Sequence, residues 1–214
     1  MGGFDPIRGG SMSSPARPRT DRRRTGPATR SDLLEATKRL LAGGAPVATL
    51  RVDQIVAEAG MGRATFYLHF KDKSELMAAL AEDQVAWRDQ IGAEVLADPK
   101  LTRESVHLLM RTIVGQWAEN WGVLAAIIEV AEYDAAMATI WKTSMGEVTE
   151  KAAEQFRRRW ESRPGQSPDP DMIAELFTWM FERSCHQILR DPSRVDAAAA
   201  GMTDIIWRVL DYRA

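Results

Sequence analysis

The sequence predicts an all-α protein of about nine helices, with a small N-terminal three-helix head and a larger C-terminal helical domain. Apolar residues recur at three- and four-residue spacing from about residue 29 to the last few residues, which is the period of an amphipathic helix. Gly, Pro and Asp interrupt this pattern at intervals of a helix length. No alternating apolar and polar stretch is long enough to predict a strand.

Length and composition favour a globular protein. The chain has 214 residues, of which 45% are hydrophobic, enough for one large or two small domains with a real core. No apolar run approaches the roughly 18 residues of a membrane span, and the N-terminus lacks the apolar stretch of a secretory signal. The single Cys185 excludes an intrachain disulfide and is typical of a reducing compartment. We therefore expect a cytoplasmic protein with no membrane partner.

Charge is distributed unevenly along the chain. Residues 1–77 carry 13 Lys and Arg against 8 Asp and Glu, whereas residues 78–214 carry 15 against 22. Such an asymmetry indicates either a basic end that meets an anion or a basic tail with no target. Residues 1–27, with the segment "RPRTDRRRTG", are rich in Gly, Ser, Pro and Arg and are predicted to be a disordered basic arm. Residues 1–11 could be a vector-derived leader.

Local signals bound the predicted helices. Thr29 or Ser31 can cap the first helix, which the pair Gly43-Gly44 ends, and Gly60 ends the second, "RVDQIVAEAG". Asp72 followed by Glu75 resembles a capping box, and it opens a fourth helix that we expect to reach about residue 96. The five later helices are predicted at about residues 102–118, 122–132, 135–161, 171–189 and 195–211.

The third helix lies in the segment "GMGRATFYLHFKDKSEL", residues 60–76, and has two unlike faces. Phe66 and Phe70 are four residues apart, so a helix places them on one face, which we expect to pack inward. Four side chains then fall away from that face: Arg63, Thr65, Tyr67 and His69. A short helix with one apolar and one hydrogen-bonding side needs a polar partner.

The second and third helices, joined by "AGMG", form a helix-turn-helix pattern. Gly60 supplies the tight reversal, and Met61 is the apolar plug between the two helices. In such modules the second helix enters the major groove of DNA. Arg63 can donate two hydrogen bonds to guanine O6 and N7. Such a contact discriminates against the other bases by roughly 1–3 kcal/mol. Three other side chains suit phosphate oxygens, which set register and not sequence: Tyr67, His69 and Lys73.

At these residues the chain resembles the tetracycline-repressor (TetR) family of bacterial regulators. "AGMGRATFYLHFKDKSEL" has the family's Ala-Gly-apolar turn, its Thr-aromatic-Tyr-x-His-Phe helix and its following lysine. The specific match covers about residues 29–80, and beyond residue 80 the resemblance is architectural. It implies DNA contacts from Thr65, Tyr67, His69 and Lys73, variable base-reading positions at Gly62, Arg63 and Leu68, and a phosphate contact from Arg51. It also implies a homodimer that binds double-stranded DNA, with residues 28–76 as the DNA-binding domain and residues 77–214 for ligand binding and dimerisation.

The C-terminal helices carry stripes of aromatic and sulfur-containing residues. Seven Trp and ten Met are many for this length. A pocket for an apolar small-molecule effector fits this content, although such stripes also occur in plain core packing. The predicted pocket residues are Met110, Ile113 and Trp117 on the fifth helix, Trp141, Met145 and Val148 on the seventh, and Phe177, Thr178 and Phe181 on the eighth. Met180 is also expected to face inward.

The last helix is apolar on more than one side. Ile205, Ile206, Trp207, Val209 and Leu210 nearly encircle it. A helix that is apolar all round must be buried. We therefore expect one face to pack within the subunit and another against a second copy, since a two-fold interface is the default for soluble homo-oligomers.

An enzyme is the main alternative class, and the sequence disfavours it. Glu104 and His107 form one E-x-x-H pair, but a di-metal bundle needs two such pairs, and no other histidine has Glu three residues before it. Cys185 and His186 are adjacent, so a helix points them about 100° apart. No phosphate-binding glycine loop occurs. We predict no catalytic residue, metal or cofactor. A DNA-binding regulator without a ligand, an activator and a protein-interaction bundle remain alternatives.

Overall fold

The fold is described here from a computed structural model, which covers residues 26–88, 100–161 and 168–211. These ranges contain nine α-helices, two short 3-10 turns and no strand, so the predicted all-α class is confirmed. The helices are α1 (Gly26–Ala42), α2 (Val52–Glu58), α3 (Arg63–His69), α4 (Lys73–Arg88), α5 (Arg103–Glu119), α6 (Trp121–Ala131), α7 (Ala135–Trp160), α8 (Pro170–Ile188) and α9 (Val195–Leu210). The 3-10 turns are Val47–Thr49 and Pro192–Arg194.

Two predicted segments fall wholly or partly outside these ranges. The end of the fourth helix near residue 96 lies outside them, as does the basic arm apart from its last two residues. Helix α1 begins at Gly26, so the predicted cap at Thr29 or Ser31 is wrong. Pro27 is compatible with this earlier start, because the first-turn N–H groups of a helix have no intrahelical acceptor.

Helices α1, α2 and α3 form the head. Phe66 and Phe70 are fully buried in its core, their ring centroids 5.7 Å apart, as the sequence predicts. Gly60 has a φ of 66°, which is the left-handed conformation expected of the turn glycine. The turn is closed by a hydrogen bond from the Met61 N–H to the Val56 carbonyl oxygen at 2.8 Å. One turn glycine and two buried aromatic rings thus contribute to the helix-turn-helix geometry.

A capping arrangement opens α4. The Glu75 N–H donates to Asp72 Oδ1 at 2.9 Å, as predicted. The Glu75 carboxylate accepts from the Lys71 N–H at 2.6 Å, one residue earlier than a capping box requires. The turn after α3 is therefore tied from both sides, and it directs the chain from the head into the C-terminal helices.

The head and the C-terminal helices share one continuous apolar cluster, in which Leu33 and Leu41 of α1 join Leu124 and Ile127 of α6. The two helices approach closely at Gly122. A Cβ added there would lie 2.4 Å from the Leu41 carbonyl oxygen. Only glycine therefore fits this point of contact between the head and the rest of the molecule.

The C-terminal helices pack mainly in two pairs, α7 with α8 and α5 with α9. Polar contacts also join the two helices of the second pair. Arg103 pairs with Asp204, and Arg111 Nε lies 3.0 Å from Asp196 Oδ1. His107 Nδ1 lies 3.2 Å from the Thr203 hydroxyl oxygen. In the described part of the chain, no helix is both long enough and apolar enough to cross a membrane.

Candidate nucleic-acid interface

Helix α3 presents a narrow exposed stripe opposite its buried phenylalanines. The stripe consists of Arg63, Ala64, Tyr67 and Leu68. The exposed fraction is 51% for Tyr67 and 81% for Leu68. These residues follow the i, i+1, i+4, i+5 pattern of one helix face. The stripe therefore offers a guanidinium, a phenol hydroxyl and two apolar side chains on one open face.

The flanks of this stripe differ from the sequence prediction. Thr65 and His69, which were expected to point outward, are half-buried at its edge. Ala64 was not among the predicted contacts, although its place beside Arg63 on the exposed face could have been read from the positions of Phe66 and Phe70. Its methyl group lets a partner approach the helix backbone closely.

Arg63 is held by two neighbours. Its Nη1 lies 3.1 Å from Asp53 Oδ1 on α2 and 3.3 Å from Asp53 Oδ2. Its Nη2 donates weakly to the Tyr67 hydroxyl oxygen at 3.5 Å. The hydrogen bond to Tyr67 and the charge of Asp53 raise the pKa of Arg63, which stays a cation at every working pH. Asp53 is a member of this site that the sequence pattern does not reveal.

Lys73 makes intramolecular contacts that the sequence pattern does not predict. Its half-buried ammonium group donates to the carbonyl oxygens of Val47 at 2.9 Å and Leu50 at 3.3 Å. These carbonyls belong to the connection between α1 and α2. Lys73 therefore ties the start of α4 to that connection. An ammonium group has three N–H donors, so these two bonds leave one further donor.

Arg51 and Gly62 precede the two helices of the motif. Arg51 is exposed at the N-cap of α2, where its N–H donates to Gln54 Oε1 at 2.9 Å. Gly62 is the exposed N-cap of α3, and an added Cβ there would contact nothing within 4 Å. Both positions therefore leave room beside α3 for a partner.

The nine predicted pocket residues are buried or half-buried in the C-terminal helices. Trp117, Trp141 and Met145 belong to the cluster shared with the head, and Met110 belongs to a second cluster around α5, α7 and α9. Four others pack against one or both clusters: Ile113, Val148, Phe177 and Phe181. Thr178 is buried on α8. Met180 was expected to face inward, and that prediction is wrong because its side chain is 37% exposed.

The residues considered for an enzyme lie on α5 and α8. Glu104 is exposed, and His107 contacts Thr203. Burial first, and then the charge of Glu182, raises the pKa of the Cys185 thiol to about 12, so the reactive thiolate is scarce. No three His, Cys, Asp or Glu side chains within the described ranges are grouped so as to hold a metal ion.

Comparison with known proteins finds a family model that matches the head. Residues 33–80 match the family model of bacterial regulatory proteins, tetR family. A search of curated proteins found no match.

Solved structures with the same fold cover most of the chain. A putative TetR-family transcriptional regulator from Mesorhizobium loti MAFF303099 is 16% identical, with a TM-score of 0.66 over 87% of this chain and 98% of that one. The regulatory protein TetR from Rhodobacter sphaeroides is 19% identical, with a TM-score of 0.65 over 85% and 98%. SmeT, the repressor of the Stenotrophomonas maltophilia multidrug efflux pump SmeDEF, is 20% identical, with a TM-score of 0.64 over 84% and 89%. The resemblance to the TetR family is thus confirmed, by sequence over residues 33–80 and by fold over most of the chain.

Proposed function

We propose that the protein is a cytoplasmic transcriptional regulator that binds palindromic DNA as a homodimer and is released by an apolar small molecule. The observation that carries this proposal is the exposed stripe of Arg63, Ala64, Tyr67 and Leu68 on the second helix of a helix-turn-helix. The major groove is about 12 Å wide and admits an α-helix. The family match over residues 33–80 supports a DNA-binding regulator and not an enzyme.

The stripe has the chemistry of base-edge recognition. The Arg63 guanidinium can donate to guanine O6 and N7, and Leu68 offers an apolar contact for a thymine methyl group. Ala64 lets the helix backbone approach the bases. Tyr67, which accepts from Arg63, keeps its own O–H to donate to a phosphate oxygen. Arg51 and the remaining N–H donor of Lys73 can also bind phosphates. Thr65 and His69, which are half-buried, and Gly62 lie at the margins of the proposed DNA contact.

Arg63→Ala and Tyr67→Phe should have different effects on DNA binding. Arg63→Ala should reduce discrimination at one base pair by about 1–3 kcal/mol. Tyr67→Phe removes a phosphate donor, so it should weaken binding by a similar factor on every sequence. Gel-shift titrations on matched and single-substituted duplexes check both effects. If both variants bound all duplexes as the wild type does, the assignment would be wrong.

Lys73→Ala should weaken binding on all sequences and also destabilise the head. The substitution leaves the Val47 and Leu50 carbonyl oxygens without their ammonium donor. Loss of a charged hydrogen-bonding group typically costs about 1.5–3 kcal/mol. Denaturant unfolding measures the loss of stability, and gel shifts on the same variant measure the loss of DNA affinity. Unchanged stability would show that the tether to the α1–α2 connection contributes little.

A second copy of this chain is the proposed partner of α8 and α9. Four large apolar side chains form one exposed stripe on α8, with exposed fractions of 37–59%: Met172, Leu176, Trp179 and Met180. Ile205 on α9 is 43% exposed, while Ile206 and Leu210 of the same helix are buried. Contiguous exposed apolar surface is typical of protein interfaces. Binding to successive major grooves requires that the two copies of α3 in such a dimer lie about 34–36 Å apart.

Leu176→Asp combined with Trp179→Asp should convert the dimer into a monomer, because it buries charges in an apolar interface. Sedimentation velocity at micromolar concentration is the measurement. Tyr133→Asp is the matched control, because Tyr133 is an exposed aromatic residue that follows α6 and lies on neither α8 nor α9. A wild-type protein that sediments as a monomer would contradict the proposed interface.

Buried polar atoms support an effector site in the C-terminal helices. Gln116 Oε1, Trp160 Nε1 and His186 Nδ1 are buried and have no hydrogen-bond partner among the described residues. A buried unsatisfied polar group costs about 1–3 kcal/mol. Gln116 and His186 neighbour Trp117 and Trp121 respectively, and the His186 ring stacks on Trp121 at 6.2 Å. An apolar molecule with a polar group, bound beside the stacked Trp121 and His186 rings, would contact an aromatic ring and satisfy His186 Nδ1.

Compounds of this kind should raise the melting temperature of the wild-type protein. A ligand present at 100 times its Kd stabilises the folded state by about 2.7 kcal/mol. Gln116→Leu should leave the free protein at least as stable, because it removes an unpaired acceptor, and should reduce the ligand-induced shift. If no apolar compound in a broad panel shifted the melting curve, a regulator without a small-molecule ligand would be favoured.

Repression is the proposed direction of control. A dimer seated on a palindrome blocks access to the DNA it covers, and no further contact is needed for this effect. SmeT, which shares the fold, is a repressor of a multidrug efflux pump. An effector can release such a protein only by favouring a conformation with another spacing of the two α3 helices. A coupling of about 1–3 kcal/mol would change DNA affinity 5- to 150-fold.

A further inference from the structure

Asp53 lies within contact distance of the group proposed to read a base. It is on α2, outside the reading helix, and its carboxylate oxygens lie 3.1 Å and 3.3 Å from Arg63 Nη1. The Arg63 side chain is 60% exposed, and the Asp53 side chain is 58% exposed. The carboxylate thus lies on the surface that is proposed to face DNA.

A contribution to folding stability does not explain why Asp53 and Arg63 are paired. Exposed ion pairs of this type contribute little, because water screens the attraction and two long side chains lose freedom. The carboxylate also places a negative charge near the phosphates of a bound duplex, which weakens binding to any sequence. A residue that adds little stability and lowers general affinity can still be useful if it improves selectivity.

We propose that Asp53 is a positioning residue that fixes the Arg63 guanidinium and thereby sharpens its preference for guanine. This inference rests on the proposed DNA-binding function. Asp53 accepts from Nη1, and the N–H groups of Nη2 and Nε remain to fork onto guanine O6 and N7. The weak 3.5 Å contact of Nη2 with Tyr67 can be exchanged for the base.

A fixed guanidinium discriminates better than a mobile one. An untethered arginine can turn from the bases to the nearest phosphate and gain affinity on every sequence, so its contact carries no sequence information. The carboxylate opposes that movement by charge and by hydrogen bonding. Loss of Asp53 should therefore raise non-specific binding while it lowers the preference for guanine.

Asp53→Ala tests this role in the full-length chain. It should bind a random-sequence duplex at least as tightly as the wild type, and its preference at one guanine–cytosine pair of each half-site should fall about two- to fivefold, the range expected of an exposed ion pair. The affected base pair should be the one that Arg63→Ala affects. The double variant should show the same base preference as Arg63→Ala, because Asp53 acts only through Arg63. Asp53→Asn, which keeps an oxygen acceptor without the charge, should lie between wild type and Asp53→Ala.

Glu58→Ala is the matched control. Glu58 is also an exposed carboxylate on α2, but it pairs with Arg39 of α1, with 2.7 Å between Oε1 and Nε. This variant should keep the wild-type base preference. Binding is measured by competition against operator duplexes substituted one base pair at a time. Preserved base preference in Asp53→Ala, or a uniform loss of affinity, would overturn the positioning role. A wild-type protein without any sequence preference would instead overturn the proposed function, and the inference with it.

Discussion

Gly122→Ala is expected to destabilise the protein by about 1–3 kcal/mol, the usual cost of adding atoms to a well-packed site. The new Cβ would lie 2.4 Å from the Leu41 carbonyl oxygen, 2.8 Å from the Leu41 carbonyl carbon and 3.1 Å from the Ala42 Cα. All three atoms belong to the backbone of α1, so no side-chain rotation relieves the clash. Helices α1 and α6 must move apart, which opens the core between head and body. Urea unfolding monitored by circular dichroism measures the loss.

Gly146→Ala is the control for this prediction. Gly146 lies on α7, and an added Cβ there would contact nothing within 4 Å. Alanine is favoured over glycine in a helix by about 1 kcal/mol, so this variant should be more stable than the wild type. The same Gly→Ala change should thus lower the free energy of unfolding at residue 122 and raise it at residue 146. Equal stability gains at both positions would show that the α1–α6 contact is not close.

The Gly122 contact also bears on the proposed control by a ligand. Trp121, the neighbouring residue, donates from Nε1 to the His186 carbonyl oxygen at 3.0 Å. The start of α6 therefore contacts α1 of the head on one side and α8 on the other. A ligand that moves α8 could act on the head through this link as well as through α4.

Phe66→Ala is expected to lower the free energy of unfolding by about 3–5 kcal/mol and to abolish DNA binding. Phe66 is fully buried and lies 5.7 Å, centroid to centroid, from Phe70 and 5.3 Å from Tyr67. Its removal leaves a cavity beneath α3, so the reading helix loses the core that orients it. Denaturant unfolding and gel shifts on the same preparation measure the two effects.

Leu68→Ala separates folding from recognition on the same helix. Its side chain is 81% exposed, so its truncation should change stability by no more than about 0.5 kcal/mol. DNA affinity should fall on operators that place a thymine methyl group against this position and change little on others. A large stability loss in Leu68→Ala, or full DNA binding by Phe66→Ala, would contradict the assigned faces of α3.

Features that depend on local sequence were predictable. Helical periodicity gave the nine helices, and the spacing of Phe66 and Phe70 gave the buried face of α3. Gly60 was identifiable because its turn needs a positive φ. The start of α1 was misplaced, because Thr29 has the residue type of a cap while Gly26-Pro27 already permits a helix.

Features that depend on contacts between distant residues were not predictable. The bonds from Lys73 to the Val47 and Leu50 carbonyls join residues 26 and 23 positions apart. The pairing of Asp53 with Arg63 depends on the angle between α2 and α3, which the sequence pattern does not specify. Met180 has the composition of a core residue but lies on the exposed side of α8, where the sequence alone does not distinguish a core from an interface.

Selection of bound duplexes from a random DNA pool tests the central claim most directly. The full-length chain should enrich an inverted repeat whose half-sites are centred about 10 base pairs, one helical turn, or a multiple of it apart. Each half-site should contain a guanine whose enrichment disappears in the Arg63→Ala variant. If a folded wild-type protein enriched no sequence at low salt, the exposed stripe of α3 would not be a DNA-reading surface.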